Sequence, residues 1–180
     1  LVLLKQTERA NVMLSRLSSF LRYTLANEPT AYVTLAQEVE MLKLYLEIEK
    51  MRFDERLRSN FQIEPLAQRA RLPSLLLQPL IENAIKYAVM PSETGAEITV
   101  SARIEGDRVR ITVEDSGPGR ADASAPTGLS TGVGLANIRD RLAQAFGADH
   151  RFEATSYPDG GFGAIIDIPF RDEMEQAGAQ

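Results

Sequence analysis

Apolar residues recur every three or four positions over the first part of the chain. Leu3, Ala10, Leu14, Leu17, Leu21 and Leu25 form one such series, which predicts an amphipathic helix from Leu3 to Ala26. Asn27-Glu28-Pro29 then stops it. Thr34 and Gln37 have the spacing of a capping box, in which each side chain satisfies the other's backbone N–H. The helix they open carries Leu35, Val39, Leu42, Leu46 and Phe53 on one stripe, and Met41, Tyr45 and Ile48 widen it. Two helices joined by a short turn make a hairpin. So wide an apolar face needs a cover, either an identical hairpin, giving a four-helix bundle by symmetry, or the chain's own sheet.

Beyond Arg56 the period changes. Leu57 to Ile63 alternates in part and predicts an edge strand ended by Pro65. Leu72 to Ala88, LPSLLLQPLIENAIKYA, predicts a helix with Leu76, Leu80, Asn83 and Tyr87 on one side, so an amide sits in an apolar stripe. Glu82 and Lys86, four apart, have the spacing of an ion pair. Pro73 suits the first turn of this helix. Pro79 lies deeper and removes a donor, which predicts a kink or an irregular start, and Pro91 ends the segment. Glu97 to Ile104 and Arg108 to Glu114 alternate apolar with polar around a Gly106-Asp107 turn, predicting a hairpin with one wet face that delivers Asp115 at its end. Arg120 to Thr131 has no period and reads as a lid. Gly132 and Gly134 lead into a helix to about Phe146, closed by Gly147; strand-like runs follow from His150 to Tyr157 and from Phe162 to Phe170, joined by Asp159-Gly160. From Asp172 the chain is a polar tail.

A length of 180 residues suits one domain, or a small domain with a helical appendage. There is no cysteine, which excludes disulfides and thiolate metal sites. With 25 acidic and 20 basic residues the net charge is −5, and no basic stripe is present, which argues against nucleic acid as a partner. No apolar run approaches the roughly 20 residues of a membrane span. The expectation is a soluble, cytoplasmic segment without direct membrane contact. Because it begins at Leu1 it reads as an excised piece, and a membrane anchor of the parent protein has room upstream. His150, the one histidine, starts a strand and is expected to be an exposed bystander without a catalytic role.

Acid, amide and ammonium at Glu82, Asn83 and Lys86 suggest a ligand, although taken alone these residues fit a buried amide beside an ordinary surface pair better. Two later stretches change the picture. Asp115-Ser116-Gly117-Pro118-Gly119 follows a strand, and Gly132-Val133-Gly134-Leu135-Ala136-Asn137 opens a helix. A Glu-Asn-Ala-x-Lys helix, then Asp-x-Gly-x-Gly, then Gly-x-Gly-Leu, in that order, resembles the ATP-binding domain shared by histidine kinases, gyrase-type ATPases and mismatch-repair ATPases. Three further runs carry a more particular resemblance: Leu17-Ser18-x-x-Leu21-Arg22-Tyr23, Tyr45-Leu46-Glu47-Ile48-Glu49-Lys50-x-Arg52-Phe53, and Leu75-Leu76-Leu77-Gln78-Pro79-Leu80-Ile81-Glu82-Asn83-Ala84-Ile85-Lys86. Together they look like LytS-type sensor histidine kinases, over nearly the whole chain.

The resemblance implies an α+β fold, a two-layer α/β sandwich with a mixed sheet and helices on one face (the Bergerat-type ATP-binding fold), preceded by a two-helix hairpin. The expected division is 1–54 for the hairpin, 55–171 for the ATP-binding domain and 172–180 for the tail. ATP would lie between the central helix, the lid and the glycine-led helix. By position, Asn83 would coordinate magnesium, a hard cation suited to a carbonyl-type oxygen; Glu82 and Lys86 would flank the phosphates, and Tyr87, Leu135 and Asn137 would line the nucleotide. Asp115 would accept the exocyclic amine of adenine, which guanine lacks there, favouring ATP over GTP. Gly117 and Gly119 would let the backbone approach the base. Gly132 and Gly134 would open a helix start towards the phosphates. Arg139 and Arg141, on the same helix, are expected to face water.

As activity, the resemblance implies transfer of the γ-phosphoryl of ATP to a histidine and then to a response regulator, in a homodimer formed through the hairpin of the full-length protein. The phosphoacceptor of LytS-type kinases sits in a Pro-His-Phe-Leu-Phe-Asn motif upstream of the Leu-Ser-x-x-Leu-Arg-Tyr match, and nothing like it occurs in this sequence. The expectation is therefore a piece that binds ATP without phosphorylating itself. Pro79 stands four residues before Asn83, where many histidine kinases have asparagine and gyrase-type ATPases a water-activating glutamate. The general base stays open: Glu82 is a candidate, rotated by about 100° from Asn83 on a helix. The alternative is an ATP-gated clamp or anti-sigma-type regulatory module, against which Pro79 counts.

Overall fold

The computed structural model describes residues 2–26, 31–118 and 132–171. Helix α1 spans Val2–Ala26, strand β1 Tyr32–Thr34 and helix α2 Leu35–Phe53; β2 (Leu57–Ile63) and β3 (Arg71–Pro73) follow. Helix α3, Gln78–Ala84, continues as a π-helical turn, Ile85–Val89. The hairpin β4 (Ala96–Glu105) and β5 (Arg108–Asp115), helix α4 (Gly132–Phe146), and strands β6 (Arg151–Ser156) and β7 (Phe162–Pro169) complete the order.

Five strands form one sheet in the order β2-β4-β5-β7-β6, with β2 parallel to β4 and every other pair antiparallel. The sheet is mixed and β2 is its edge, as the alternation and Pro65 predict. Period two decides which face is dry. Ile98, Val100 and Ala102 of β4, Val109, Ile111 and Val113 of β5, and Ala164, Ile166 and Ile168 of β7 are buried in one core with Leu80, Ile81 and Ala84 of α3 and with Ile138 and Leu142 of α4. The fold is thus the α+β sandwich of sheet and helices.

The hairpin divides its two apolar stripes differently. Leu35, Val39, Leu42, Leu46 and Phe53 of α2 belong to the same core as the sheet, so the chain's own sandwich covers that stripe. The capping box is present: Thr34 Oγ1 accepts from the Gln37 N–H at 3.2 Å, and Gln37 Oε1 accepts from the Thr34 N–H at 2.9 Å. Helix α1 instead meets α2 through a mixed face, with Arg16 Nε 3.1 Å from Glu47 Oε2 and the Phe20 and Tyr45 rings 5.6 Å apart. Its leucines lie elsewhere: Leu14 is 62% and Leu25 85% exposed, and Leu17 and Leu21 are exposed too.

The segment predicted as one helix from Leu72 to Ala88 differs most. Pro73 ends β3, which pairs antiparallel with β1 through Tyr32↔Pro73, Val33↔Leu72 and Thr34↔Arg71. Helix α3 begins only at Gln78, which leaves Pro79 in the first turn, where the missing N–H costs nothing. Leu76 and Leu77 are buried ahead of the helix rather than along it. Helix α4 closes as expected, with the Gly147 N–H on the Ala143 carbonyl at 2.8 Å, and His150 Nδ1 lies 2.8 Å from the Gly147 carbonyl. Gly119, the expected lid Arg120–Thr131 and the tail from Asp172 lie outside the described residues.

Candidate functional site

Asp115 ends β5 on the buried face. It follows Val109, Ile111 and Val113 at intervals of two, so its side chain falls on the side of the sheet that the helices cover, while Glu114 turns to the other. Asp115 Oδ1 accepts the Gly117 N–H at 3.0 Å. Burial pushes its carboxyl above the ordinary aspartate value, opposed by the N–H groups of Gly117 and Phe162. A half-buried carboxylate held by backbone donors is oriented before any ligand arrives.

Gly117 has a structural reason of its own. A Cβ there would stand 2.4 Å from the Ala88 Cβ, so the loop after β5 packs directly on the π-helical turn that follows α3. The turn between β6 and β7 packs from the other side. A Cβ on Gly161, whose φ is +88°, would lie 2.4 Å from the Asp115 carbonyl oxygen. Tyr157 Oη donates to Glu114 Oε1 at 2.6 Å, and that bond, with burial, pushes the phenol up to about 12. Gly160, Gly161 and Tyr157 therefore help fix Asp115. Periodicity had no means of marking them, since their role lies across the sheet.

Asn83 projects from α3 towards the start of α4. Its Nδ2 is buried with no hydrogen-bond partner, and a Cβ built on Gly134 would stand 3.6 Å from it and 3.9 Å from Pro79 Cβ. A buried amide with an unanswered polar atom is costly unless something else satisfies it. Its nitrogen and oxygen exchange places by a simple flip, so the same position suits a carbonyl oxygen facing a cation. The donor set therefore fits a magnesium ion, which takes one or two protein oxygens and keeps its waters.

Around Asn83 the remaining residues spread out. Glu82 is exposed, and its carboxylate accepts from Gln78 Nε2 at 2.7 Å; among the described residues no ion pair joins it to Lys86, contrary to the spacing. Lys86 instead lies over the ring of half-buried Tyr87, 4.9 Å from its centroid. The two residues sit inside the π-helical turn, whose wider period breaks the alignment that a regular helix would give Asn83 and Tyr87. Burial, followed by the charges of Glu49 and Glu82, pushes the Tyr45 hydroxyl of α2 up to about 12, which places Glu82 beside the hairpin. Gly132 begins α4 and Leu135 is half-buried in its first turn, whereas Asn137 is exposed. The structure thus brings Asn83 and Gly134 together, with Leu135 the next residue of α4, and sets Gly117, which Asp115 holds, against the π-helical turn that follows α3.

One expectation is overturned. Arg139 does lie at the surface, over the Phe152 ring, but Arg141 is half-buried and donates to the Leu75 carbonyl at 2.9 Å and to the Ser74 carbonyl. A surface reading of helix charges fails here because the loop before α3 leaves carbonyls in need of a donor.

This arrangement, a helix bearing an inward amide, a strand-end carboxylate and a glycine-led helix over a mixed sheet, defines a class of nucleotide-binding sandwich. Comparison with known proteins agrees. Residues 68–172 match the family model described as histidine kinase-, DNA gyrase B- and HSP90-like ATPase, and residues 1–57 match that of histidine kinase. The chain belongs to this ATPase family. It is 34% identical over 172 residues to the sensor histidine kinase BtsS of Escherichia coli, covering 96% of this chain and 30% of that protein. It is likewise 34% identical over 161 residues to the sensor histidine kinase/phosphatase LytS of Staphylococcus aureus, covering 83% of this chain and 28% of that protein. Among solved structures, histidine kinase ThkA in complex with the response regulator protein TrrA superposes with a TM-score of 0.54 at 18% identity, over 88% of this chain and 48% of that one. The chain therefore spans under a third of the length of these two relatives.

Proposed function

We propose that this chain is the ATP-binding catalytic part of a LytS-type sensor histidine kinase, which supplies the γ-phosphoryl group for a histidine and then for a response regulator. Family membership and the likeness to BtsS and LytS support the reading, and the single observation that carries it is the unpartnered Asn83 amide facing Gly134. In this reading residues 1–54 are the dimerisation hairpin of a homodimer and 55–171 the ATP-binding unit. The nucleotide stands on the cytoplasmic side of any membrane that the parent protein meets. No helix among the described residues is long and apolar enough to cross one.

Each group has a task. Asn83 would hold magnesium through its side-chain oxygen, and the bound ion would supply neutralisation of phosphate charge. The backbone donors at Gly132 and Gly134 receive phosphate oxygens at the start of a 15-residue helix. Lys86 and Tyr87 flank the nucleotide, with Leu135 and Asn137 across from them. Asp115, held by Gly117, accepts the adenine amine, and Gly119 continues that loop. Glu82, beside the hairpin, is the candidate base for the incoming histidine. Pro79, four residues before Asn83, offers no group to activate water, which favours phosphoryl transfer over hydrolysis by the gyrase route.

The test is thermal. At about 100 times its Kd, magnesium–ATP adds about 2.7 kcal/mol and raises Tm by roughly 5–10 °C, more than GTP does. Asn83→Ala removes the shift. Equal stabilisation by the two nucleotides overturns the role of Asp115, and no stabilisation by either overturns the nucleotide reading.

A further inference from the structure

Ahead of α3 the chain passes through Ser74-Leu75-Leu76-Leu77, where Leu75 takes a φ of +58°, a left-handed conformation that a leucine keeps only when its surroundings fix it. Two charged side chains from different helices do so. Glu38 of α2 is 1% exposed, and its oxygens accept the Leu75 N–H at 2.8 Å and the Leu77 N–H at 2.9 Å. Leu77 is the residue that precedes α3, and it has no side-chain cap of its own, so Glu38 supplies one from α2. From the other side Arg141 of α4 donates to the Ser74 and Leu75 carbonyls, and its charge acts on Glu38.

We propose that Glu38 and Arg141 are positioning residues for the nucleotide site, clamping the turn at Leu75 so that α3 presents Asn83 to the start of α4. Arg141 lies seven residues, two helical turns, beyond Gly134 and so on the same face of α4. Helix α4 thereby meets α3 at two points, at the leading turn through Arg141 and at Asn83 through Gly134. Two points fix the slide of one helix along the other. Losing the first leaves Asn83 free to shift against the glycine-led turn. Glu38 adds a third element to the same turn, so displacement of α2, the inner helix of the hairpin, carries the start of α3 with it.

The inference rests on the nucleotide reading, and the experiment separates the two. Three variants of the full 180-residue chain are compared: Glu38→Gln, which keeps the shape and loses the charge; Arg141→Lys, which keeps the charge and loses the planar fork; and their combination. Ile166→Val, in the sheet core on β7, controls for general loss of stability. Calorimetry with magnesium and the non-hydrolysable β,γ-imido analogue of ATP is expected to show Kd weakened about three- to thirtyfold in each single variant. The double variant loses less than the product of the two, and Ile166→Val keeps the original Kd. In nucleotide-free protein, the Asn83 side-chain amide NMR signals move in the clamp variants alone. Unmoved Asn83 signals with unchanged Kd in either folded single variant overturn the clamp. No uptake of the analogue by the unaltered chain overturns the nucleotide reading instead, a result told apart because the Asn83 signals are read without nucleotide.

Discussion

Asp167 projects from β7 onto the open face of the sheet, where Arg110 Nη2 lies 3.2 Å from Oδ2 and the Arg108 guanidinium bonds Oδ1. The residue is 7% exposed. Burial alone would raise its pKa, but the hydrogen bond and charge of Arg108, then those of Arg110, outweigh it and hold the carboxyl below the ordinary value. A depressed carboxylate stabilises the fold above its unfolded pKa of 3.8, and that contribution is lost as pH falls through the lower folded value. Glu38 and Asp115 have the opposite sign: burial raises both, so each subtracts stability as pH rises from its unfolded value through the folded one. Asp167→Asn is therefore expected to cost about 1–3 kcal/mol at pH 7, with the difference from the unaltered chain shrinking below about pH 4. Urea midpoints from pH 3 to 7 check it. A difference that stays constant down to pH 3 removes the ion pairs as its source.

The two helices of the hairpin look alike in sequence and separate once their surroundings are known. Leu42 of α2 is buried against the sandwich, whereas Leu14 of α1 meets solvent in the single chain. Leu42→Ala is expected to cost about 2–5 kcal/mol and Leu14→Ala under about 0.5 kcal/mol, measured by chemical denaturation at low protein concentration. Comparable losses would place α1 in the same core. The pattern of the chain showed α2, the edge strand, the β4–β5 hairpin and α4 because each keeps one period for several turns or alternations. It did not show β1 and β3, since three residues carry no period, and their pairing joins Tyr32 to Pro73 across forty positions. The π-helical turn was equally hidden, since its packing of Ala88 against Gly117 joins distant parts of the chain. Asn83, Gly134 and Asp115 were legible as motifs. Glu38 was not, because a glutamate in the first turn of a helix ordinarily faces water and only the unmet N–H groups of a distant turn bring it inside.

At the scale of the whole molecule, Leu14, Leu17, Leu21 and Leu25 of α1 make an apolar stripe that the fold leaves uncovered among the described residues. Among the described residues the dry face of the sheet is already taken by α2, α3 and α4, which leaves the α1 stripe without a place on it. In the proposed homodimer a second copy covers the stripe: a two-fold axis beside α1 would set stripe against stripe, so that each leucine row covers its own image. Helix α1 also touches α2 through Arg16, Phe20 and their partners, so a dimer built on α1 is mechanically joined to Glu38 and the turn before α3. Sedimentation of the unaltered chain is expected to move from its 19.9 kDa towards twice that mass as concentration rises. Leu21→Glu sets a charge in the stripe and holds the chain at the lower mass, while the Tm rise with magnesium–ATP survives because Asn83 and Asp115 lie in a sandwich that α1 does not complete. A chain that stays at 19.9 kDa at every concentration would remove α1 from the dimer contact and return its leucines to a partner outside these 180 residues.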